Sequence, residues 1–524
     1  MPKLRQPETL EKLALKQTPV WLCHMIELSI PIMLNLTRTD NEEAAKFLRA
    51  IAFELRDEFD HCIPAHLYDE MGKELIVQIS NLIERFKQAL DVRPLMSKFL
   101  TQVNVAITLS EVLLSRKMRV LKIEDLPKIM RHIFCTKLDY IKGLRCLSLG
   151  SMSGGWKTRE MESTIVKGLS TMRNLKALTL NYDCTDTILL ALIESCPNLE
   201  YVDFSSSKYI TNDSIDILVR LEKLKVVLLS RTQVTLSGII NLLVNGRNLV
   251  DIGRYDDLGI CLEYIDQEYP EIGFLKLQKF ETRSAKTRHI QLLAEFCPDM
   301  QHVSIFHNLF LMDLMALVAI NNLTELSLLS CDFFADQVRE LLQVKGCNLT
   351  HLHLEHVDQI DKNALTCMSQ YCPDLKTLSL YNCVMIPFTS IYNRRYTIPP
   401  FMNLERLVFV CDSLSHHLEF ILATALRIRF IQLGMQTYTN DETFERIFTT
   451  NPLQCLEDIR IIHSEDLTIE TAYRLVNNCP NLSLLNEIEC WQKVKEYEIV
   501  QLRQMIKERN YAVHTAPLRK YAQE

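Results

Sequence analysis

The sequence lacks the short motifs that usually mark an enzyme or a redox-active protein. It has no Gly-rich phosphate loop, no His-Glu-x-x-His zinc motif and no Gly-x-Ser-x-Gly nucleophile elbow. None of its 17 cysteines forms a Cys-x-x-Cys pair. We therefore predict that the chain is not an enzyme and that it has no catalytic residues, metal ligands or cofactors.

Long apolar runs, signal-peptide features and blocks of like charge are also missing. The best apolar run, FLMDLMALVAI, is interrupted by Asp313, and the opening residues, MPKLRQPETLEKL, contain no apolar core of the secretory kind. The formal charge of −7 is spread over 524 residues without a basic face. We expect reduced thiols, a cytoplasmic location with the nucleus as an alternative, and no binding to nucleic acid or membranes.

A recurring Leu-x-x-Leu-x-Leu pattern fills most of the chain. Clear copies begin at Leu144, Leu175, Leu199, Leu224, Leu323, Leu349, Leu375 and Leu404. Weaker copies begin at Met118, Leu249, Ile272, Met300, Ile428, Leu456 and Leu482. The mean period is about 26 residues. Each copy predicts a short strand, because its second and third apolar positions are separated by one other residue and so point to the same face. A stretch with apolar residues at helical spacing follows each strand. One unit cannot bury its apolar face alone, whereas stacked units can.

A Cys-Pro dipeptide precedes several of these repeats. The four cases begin at Cys196, Cys297, Cys372 and Cys479. Proline inside a helix costs about 3 kcal/mol, so the dipeptide marks the end of the preceding helix. The cysteine suits a tight position between that helix and the next strand. After the strand, Asn212 or Asp213 is placed to cap the following helix.

These features resemble the cysteine-containing leucine-rich repeats, whose unit reads Cys-Pro-x-Leu-x-x-Leu-x-Leu-x-x-Cys-x-x-Ile-Thr-Asp. CPNLEYVDFSSSKYITNDSI (196–215) keeps most of that unit, and CPDLKTLSLYNCVMI (372–386) supplies its mid-repeat Cys383. Repeats near 249–285 and 386–427 depart from it. The resemblance covers residues 118–485 and implies an α/β leucine-rich-repeat solenoid, a curved horseshoe of about 15 strand–helix units.

Both ends of the chain differ from the repeats. Residues 1–117 carry amphipathic patterns such as HLYDEMGKELIVQISNLIERF, which predict helices. Residues 486–524 open with a helical pattern in which Asn486 and Glu489 have capping-box spacing. We predict an N-terminal helical region at 1–117, a repeat domain at 118–485, and a capping helix with a tail at 486–524.

Two short motifs in the helical region are similar to boxes that dock on ubiquitin-ligase adaptors. The first motif, IPAHLYDEM, resembles the cullin-binding half of a von Hippel-Lindau-type box and also the start of an F-box. Its matching residues are Ile63, Pro64, Leu67 and Met71. A proline-started helix with ordinary apolar spacing is the alternative interpretation of this motif.

The second motif, TLEKLALKQ, is similar to an elongin-binding box, with Thr9 and Leu10 matching. Ala14 stands where that box usually has Cys, and Thr18 stands where it has an apolar residue. Repeats and boxes together resemble substrate receptors of cullin-RING ubiquitin ligases, of the F-box type or of the Zyg/Zer elongin-binding type. The resemblance implies docking on an elongin or Skp-type adaptor and, through it, on a cullin.

We also predict that a protein substrate binds the inner, strand-lined face of the repeats. The predicted contact residues are Tyr255, Phe274, His302, Phe306, His351, His353 and Tyr381. Aromatic residues on neighbouring strands favour a binding surface, because they are costly to expose and are frequent hot spots.

His351, His353 and Glu355 share one face of a predicted strand, which raises a zinc alternative. Same-face residues on a strand lie about 6–7 Å apart, whereas zinc needs each nitrogen at about 2 Å. A polar binding surface is therefore the favoured interpretation, and no metal site is predicted.

The sequence thus predicts a non-enzymatic receptor that selects a protein substrate. A leucine-rich-repeat scaffold and a regulator of small GTPases are the alternatives, and the regulator would need an exposed, correctly placed arginine or asparagine on a loop. Arg394 and Arg395, in the irregular loop 386–401, are the candidates for that role. A second irregular loop, 150–164, carries Trp156.

Overall fold

The structure is a computed structural model that describes residues 2–92, 96–123, 128–151, 154–155, 161–283, 285–306, 312–387, 399–435 and 437–515. The chain forms two compact units. One unit is Glu8–Gly253, and the other is Arg254–Glu524 together with Met1–Pro7.

The Glu8–Gly253 unit begins with four packed helices. They are α1 (Leu10–Thr39), α2 (Asn41–Cys62), α3 (Tyr68–Val92) and α4 (Met96–Ser110), with a 3-10 turn at Ala65–Leu67. α1 contacts the other three helices. The apolar stripe predicted on α3 is buried at Met71, Leu75, Ile79, Leu82 and Phe86. Burial of each such side chain contributes about 1.5–3 kcal/mol, which holds the bundle together.

Side-chain caps set the beginnings of the first two helices. The Thr9 hydroxyl accepts a hydrogen bond from the Lys12 amide at 3.2 Å. Asp40 ends α1 and caps α2, because its carboxylate accepts from the amides of Glu42 and Glu43 at 2.7 and 3.2 Å. Each cap satisfies backbone donors that have no partner within the helix.

α1 is the one helix in the described ranges that is long and apolar enough, by length and composition alone, to cross a membrane. One third of its most apolar window (33%) is buried within the protein. Core helices of soluble proteins meet the same criteria, so the finding is weak evidence for a membrane span. Pro19 and Pro31 lie inside this helix.

A five-stranded parallel sheet follows the helices in the same unit. Its strands, in spatial order, are β1 (Val120–Lys122), β2 (Cys146–Ser148), β3 (Ala177–Thr179), β4 (Tyr201–Asp203) and β5 (Val226–Leu228). The connecting helices are α5 (Lys128–Cys135), α6 (Glu162–Leu169), α7 (Asp186–Ser195), α8 (Asn212–Leu218) and α9 (Leu236–Asn245), with a 3-10 turn at Leu138–Tyr140.

The second unit contains a nine-stranded parallel sheet whose strands also lie in sequence order. They are β6 (Lys279–Thr282), β7 (His302–Phe306), β8 (Glu325–Leu329), β9 (His351–Glu355), β10 (Thr377–Val384), β11 (Arg406–Asp412), β12 (Phe430–Leu433), β13 (Asp458–Ile461) and β14 (Leu484–Asn486). The helices are α10 (Leu258–Glu268), α11 (Thr287–Phe296), α12 (Val338–Lys345), α13 (Lys362–Tyr371), α14 (Ser415–Leu422), α15 (Asp441–Thr450), α16 (Ile469–Asn478) and α17 (Glu496–Glu508). The 3-10 turns are Leu314–Ala319, Gly346–Asn348 and Ile488–Cys490.

The strands stack in register, so that equivalent residues of successive repeats pack on each other. In the second unit, for example, Leu326 pairs with Leu352, which pairs with Leu378. These three side chains are at most 1% exposed. Parallel strands, each followed by a helix or turn and sharing one apolar layer, confirm the predicted α/β leucine-rich-repeat fold.

Three local predictions are wrong. The copy at Ile272 forms no strand, and the strand begins at Lys279 instead. The copy at Leu249 forms only an isolated bridge between Asp251 and Val226. Asn486 does not cap the C-terminal helix, because it belongs to β14. That helix begins at Glu496, where the Lys495 amide donates to the Glu498 carboxylate at 2.8 Å.

The Cys-Pro junctions end helices as predicted. α7, α11, α13 and α16 each stop one residue before the cysteine of a junction. The thiol of Cys196 donates to the Met172 carbonyl of the preceding repeat at 3.3 Å. Burial raises the pKa of each junction thiol to about 12. The junction cysteine is therefore a small buried side chain, and at Cys196 it also bonds to the preceding repeat.

The cap of α8 differs from the prediction by one residue. Thr211 precedes the helix, and its amide donates to the Ser214 hydroxyl at 2.9 Å. The Asn212 side chain instead accepts from the amide of Thr235 in the next repeat at 3.0 Å. Asn212 therefore links repeats rather than capping its own helix.

Asparagines form further links between repeats. Several asparagines stand just before the first leucine of a repeat. Their side-chain amide donates to a backbone carbonyl of the preceding repeat. These are Asn198, Asn248, Asn322, Asn403 and Asn481. Asn451 makes a more buried link, because its side chain donates to the carbonyls of Leu422 and Ala425 at 2.7 and 3.1 Å. Such bonds fix the spacing of neighbouring repeats.

The first residues of the chain pair with its C-terminal part. Leu4 forms an antiparallel bridge with Tyr511, and the Ala512 amide donates to the Lys3 carbonyl at 2.7 Å. The Arg5 amide donates to the Asn510 carbonyl at 2.8 Å. Residues 3–5 thus add a short pairing segment to the Arg254–Glu524 unit.

Thiol burial predicts the labelling pattern of the native protein. At pH 8 we expect a thiol reagent to react rapidly with the exposed Cys62, Cys347 and Cys490, more slowly with the half-buried Cys146 and Cys455, and slowest with the buried thiols. A thiol with a pKa of about 12 is deprotonated in about one molecule in ten thousand at that pH, and burial blocks access as well. Ellman's reagent, with and without denaturant, measures how many thiols react in each phase and how fast. Replacing the three exposed cysteines with Ser should remove the rapid phase, and rapid reaction of Cys196 would contradict the assignment.

The buried Asn451 link predicts a large effect on stability. Asn451→Ala removes two buried hydrogen bonds to the Leu422 and Ala425 carbonyls, and it also removes the acceptor of the Leu453 amide, which bonds to Asn451 at 3.0 Å. We expect a loss of about 2–3 kcal/mol in the free energy of unfolding, measured by urea denaturation with circular dichroism. The matched control is Asn481→Ala, which removes one exposed bond and should cost about 0.5–1 kcal/mol. Equal losses would show that burial does not strengthen this link.

Candidate interaction surfaces

The nine-stranded sheet aligns the side chains opposite its buried layer into three rows across β6–β10. The strand register gives the members of each row. The first row is Lys279, His302, Glu325, His351 and Thr377; the second is Glu281, Ser304, Ser327, His353 and Ser379; the third is Phe306, Leu329, Glu355 and Tyr381. Neighbouring members lie about 4.8 Å apart, because that is the spacing between paired strands.

Five of the predicted substrate contacts fall in these rows and are brought together by the fold. They are His302, Phe306, His351, His353 and Tyr381. Tyr255 lies beside the sheet edge, where its amide donates to the Glu281 carbonyl at 3.1 Å. Phe274 is 77% exposed but precedes β6 by several residues, since the expected strand at Ile272 does not form.

Carboxylates flank His302 on both sides in the sheet. Its Nε2 lies 3.4 Å from a Glu281 oxygen, and its Nδ1 lies 3.0 Å from a Glu325 oxygen. The other Glu325 oxygen lies 3.7 Å from Nδ1 of His351. Acids and imidazoles therefore alternate along this side of the surface.

The pKa of His302 reflects two opposed effects. Burial lowers this pKa, but the hydrogen bonds and charges of Glu281 and Glu325 outweigh burial, so the pKa rises above the usual value of 6.5. The hydrogen bond with His302 in turn lowers the pKa of Glu281. Proton uptake by His302 is thus coupled to two carboxylates on adjacent strands.

A second acid–imidazole group lies beside the first. Nε2 of His353 is 3.4 Å from Glu355, and His356 lies 4.0 Å from the other oxygen of that carboxylate. Within the described residues, no three His, Cys, Asp or Glu side chains are grouped to hold a metal ion. These side chains place hydrogen-bond donors and acceptors on the exposed face of the sheet.

Beyond β10 the exposed face becomes self-paired. The Arg406 guanidinium lies 3.6 Å from the ring centre of Phe430, and Arg460 lies 5.1 Å from it on the other side. Arg460 also pairs with Asp458 at 2.8 Å. The aromatic and charged groups of β11–β13 therefore pair through cation–π contacts and an ion pair, whereas those of β6–β10 pair as carboxylates and imidazoles.

The elongin-like motif lies at the exposed start of α1. Thr9 caps the helix, and the Leu10 side chain is 86% exposed. Trp21, Leu28 and Ile32 are 44–54% exposed on the same side of the helix, because they follow Leu10 at helical spacing. The sequence motif identified Leu10 but missed this longer apolar stripe. The i+11, i+18 and i+22 spacing from Leu10 places all four residues on one side of a helix and could have predicted the stripe.

The second motif lies where α2 ends and α3 begins. Ile63 and Leu67 are half-buried, and Pro64 is exposed. Met71 is only 3% exposed. Met71 therefore belongs to the bundle core and offers no surface to an adaptor, because its helix turns that side toward the other helices.

Sequence reasoning also missed the serines of the second row. HVSIF, ELSLL and TLSLY each place Ser between two buried apolar residues, a repeated signal that the search for aromatic residues overlooked. Trp156, Arg394 and Arg395, from the two irregular loops, lie outside the described residues.

The His302 environment predicts a measurable titration. NMR should give His302 a pKa above 6.5, and Glu325→Gln should lower it because one of the two flanking charges is removed. Since the folded pKa is raised, the protonated ring stabilises the fold below pH 6.5, and this contribution is lost as pH rises through the folded pKa. Gln432→Ala, on β12 outside this acid–imidazole group, is the control. A His302 pKa at or below 6.5 would contradict the assignment.

No protein-family model and no curated protein sequence matches the chain. Among solved structures, similarities include a leucine-rich-repeat protein from Leptospira interrogans, with TM-score 0.35, 13% identity, and coverage of 76% of this chain and 95% of the other. The yeast Rad7–Elc1 complex has a TM-score of 0.39 and 14% identity, and the match covers 99% of this chain and 97% of the other. The TLR13–ssRNA13 complex has a TM-score of 0.31 and 13% identity, and the match covers 73% of this chain and 63% of the other. At these TM-scores no site residue can be transferred, and the fold assignment rests on the strand pairing described above.

Proposed function

We propose that this protein is a receptor subunit that docks on an elongin-type adaptor through the start of α1 and binds a protein substrate on the exposed face of β6–β10. Cullin and the ubiquitin-transferring subunits would join through the adaptor. The chain would contribute substrate selection and proximity, while the transfer chemistry would belong to its partners. We place this function in the cytoplasm, with the nucleus as the alternative.

The observation that supports adaptor docking is the exposure of Leu10. A leucine that is 86% exposed gains about 1.5–3 kcal/mol when a partner buries it. Thr9 fixes the helix start, so Leu10 is presented from an ordered turn rather than a flexible end. The apolar stripe continues along α1 to Trp21, Leu28 and Ile32. An extended exposed apolar stripe is a feature of protein interaction sites.

The preference for an elongin-type adaptor over the Skp type rests on the exposed Leu10 of the first motif. Met71 is buried in the bundle and supports neither form of the second motif. Pro64 is exposed and Ile63 and Leu67 are partly so, which leaves them accessible to a cullin after the adaptor has bound at Leu10.

The polar and aromatic rows of β6–β10 support substrate binding by the sheet face. They combine partly exposed aromatic edges at Phe306 and Tyr381 with carboxylates and imidazoles. Interfaces of this kind pair aromatic anchors with a polar surround.

Replacing Leu10 tests the adaptor proposal. Purified full-length protein should bind an elongin B–elongin C heterodimer, and Leu10→Asp should weaken binding about 100-fold, because a charge would replace a buried apolar anchor. The control is Leu190→Asp, on α7, where the leucine is 46% exposed outside the motif. Isothermal titration calorimetry gives the affinities, and circular dichroism checks that both variants fold.

Other results would redirect the assignment. If the intact protein binds a Skp-type adaptor and not the elongin pair, the F-box interpretation replaces the present one. If it binds neither adaptor, the protein is a scaffold whose N-terminal helices serve another contact. If it binds lipid vesicles through α1 instead, the exposed apolar stripe of that helix is a membrane contact rather than an adaptor site.

A further inference from the structure

The turns that lead into the five-stranded sheet carry an excess of positive charge. These turns are the five residues before each of β1–β5 and before the bridge residue Asp251, namely 115–119, 141–145, 172–176, 196–200, 221–225 and 246–250. They contain ten Lys or Arg against two carboxylates, Glu200 and Glu222, which gives a net charge of +8. The whole chain has a net charge of −7, so the cations are concentrated here.

Backbone hydrogen bonds line up the last residues of these turns. Five amides each donate, at 2.7–2.8 Å, to the carbonyl of the residue that ends the preceding turn; the donors are Arg145, Lys176, Glu200, Lys225 and Val250. Paired strands lie about 4.8 Å apart, so the row of six turns is about 24 Å long. We call these six turns the basic edge. Its cations come from separate repeats, and only the register between strands brings them together.

Most cations of the basic edge are exposed and have no carboxylate partner within the described residues. They are Arg116, Arg119, Lys142, Arg145, Arg173, Lys223 and Arg247. Lys117 pairs with Asp60 at 3.4 Å. The Asp69 carboxylate lies at the β1 end, where it accepts from the Arg119 amide at 2.6 Å. Like charges in a row repel one another, so a negatively charged partner would stabilise this edge.

One carboxylate of the chain itself is already held by the basic edge. The Nζ atoms of Lys176 and Lys225 lie 2.8 and 2.9 Å from the two oxygens of Glu200. The hydrogen bonds from these two lysines lower the pKa of Glu200 to about 2. The lysines belong to the turns on either side of Glu200, so the spacing of the turns allows two cations to share one carboxylate.

We propose that the basic edge binds an acidic segment of a protein partner, an extended stretch in which Asp or Glu recurs. Its carboxylates would bind the exposed cations as Glu200 binds Lys176 and Lys225. The contact goes beyond the proposed receptor function and does not depend on it, because it involves neither α1 nor β6–β10. An extended chain advances about 3.3 Å per residue, so about seven residues would cover the edge.

The composition of the edge favours an acidic protein segment over a nucleic acid. The six turns contain no Phe, Tyr, Trp or His, whereas single-stranded nucleic acids are held by aromatic side chains that stack on their bases. A duplex carries a charge about every 1.7 Å and would set phosphates against Glu200. A peptide can place an uncharged residue at that position.

The repeat itself does not require this charge. The equivalent turns before β6–β14 contain four Lys or Arg and four Asp or Glu. Several of their last residues are neutral, such as Thr324 and Thr350, and Arg429 pairs with Glu457 at 2.8 Å. The nine-stranded sheet therefore provides matched positions for control substitutions.

Fluorescence anisotropy with a labelled octapeptide of alternating Glu and Ser tests the inference on the full-length protein. We expect saturable binding in 50 mM NaCl and an affinity about tenfold or more lower in 300 mM NaCl, because salt screens exposed charges. The double variant Arg145→Glu, Arg173→Glu should weaken binding at least about tenfold. The matched control is Lys376→Glu with Arg427→Glu, two exposed cations in turns of the other sheet, which should leave the affinity within about twofold.

Glu200→Gln gives a gain of binding that a purely structural role would not produce. The substitution removes the internal carboxylate that occupies Lys176 and Lys225. The two freed cations should strengthen peptide binding about three- to tenfold in the same assay. Circular dichroism checks that every variant folds like the intact protein.

Absence of peptide binding, an equal loss in the two double variants, or no gain with Glu200→Gln would each overturn the inference. A 12-base-pair DNA duplex or phosphatidylserine vesicles that bind at least tenfold more tightly than the peptide, and that need Arg145 and Arg173, would reassign the edge to nucleic acid or membrane. The Leu10→Asp protein should bind the peptide normally while failing to bind the elongin pair, so failure of one proposal is distinguishable from failure of the other.

Discussion

The structure depends on one constraint, which is that no single repeat can bury its own apolar face. Each three- to eight-residue strand exposes its apolar side unless a neighbour pairs in register beside it. The parallel pairing stacks Leu326, Leu352 and Leu378 in one layer and leaves the alternate residues on the opposite face. The same register that stabilises the core therefore also aligns the polar and aromatic side chains of the opposite face into rows.

Hydrogen bonds between neighbouring repeats add to the stabilisation by this apolar layer. The thiol of Cys196 and the amide of Asn451 both bond to carbonyls of a preceding repeat. These groups follow the end of a helix, and each gives a backbone carbonyl of the preceding repeat a further hydrogen bond. Small or short side chains are required there, which explains why cysteine and asparagine recur at the junctions.

The repeat fold was predictable because its signal recurs, whereas single-copy details were not. Eight clear leucine patterns and four Cys-Pro junctions fix the architecture, but the copy at Ile272 failed, since one short apolar run cannot distinguish a strand from an irregular segment. Likewise, the sequence placed His302 and Tyr381 on one face, yet only the register between strands brings Glu281 and Glu325 to either side of His302. Met71 matched a motif but was needed by the bundle core.

The pairing of residues 3–5 with the strand-like segment around Tyr511 gives the chain an unusual connectivity. The polypeptide passes between its two compact units twice, once at Pro7–Glu8 and once at Gly253–Arg254. A protease that cuts only the second crossing would leave two fragments that still share a hydrogen-bonded ladder. Neither fragment would correspond to one of the two compact units, because residues 1–7 would remain on the fragment that ends at Gly253, so limited proteolysis alone would give a misleading view of the domains.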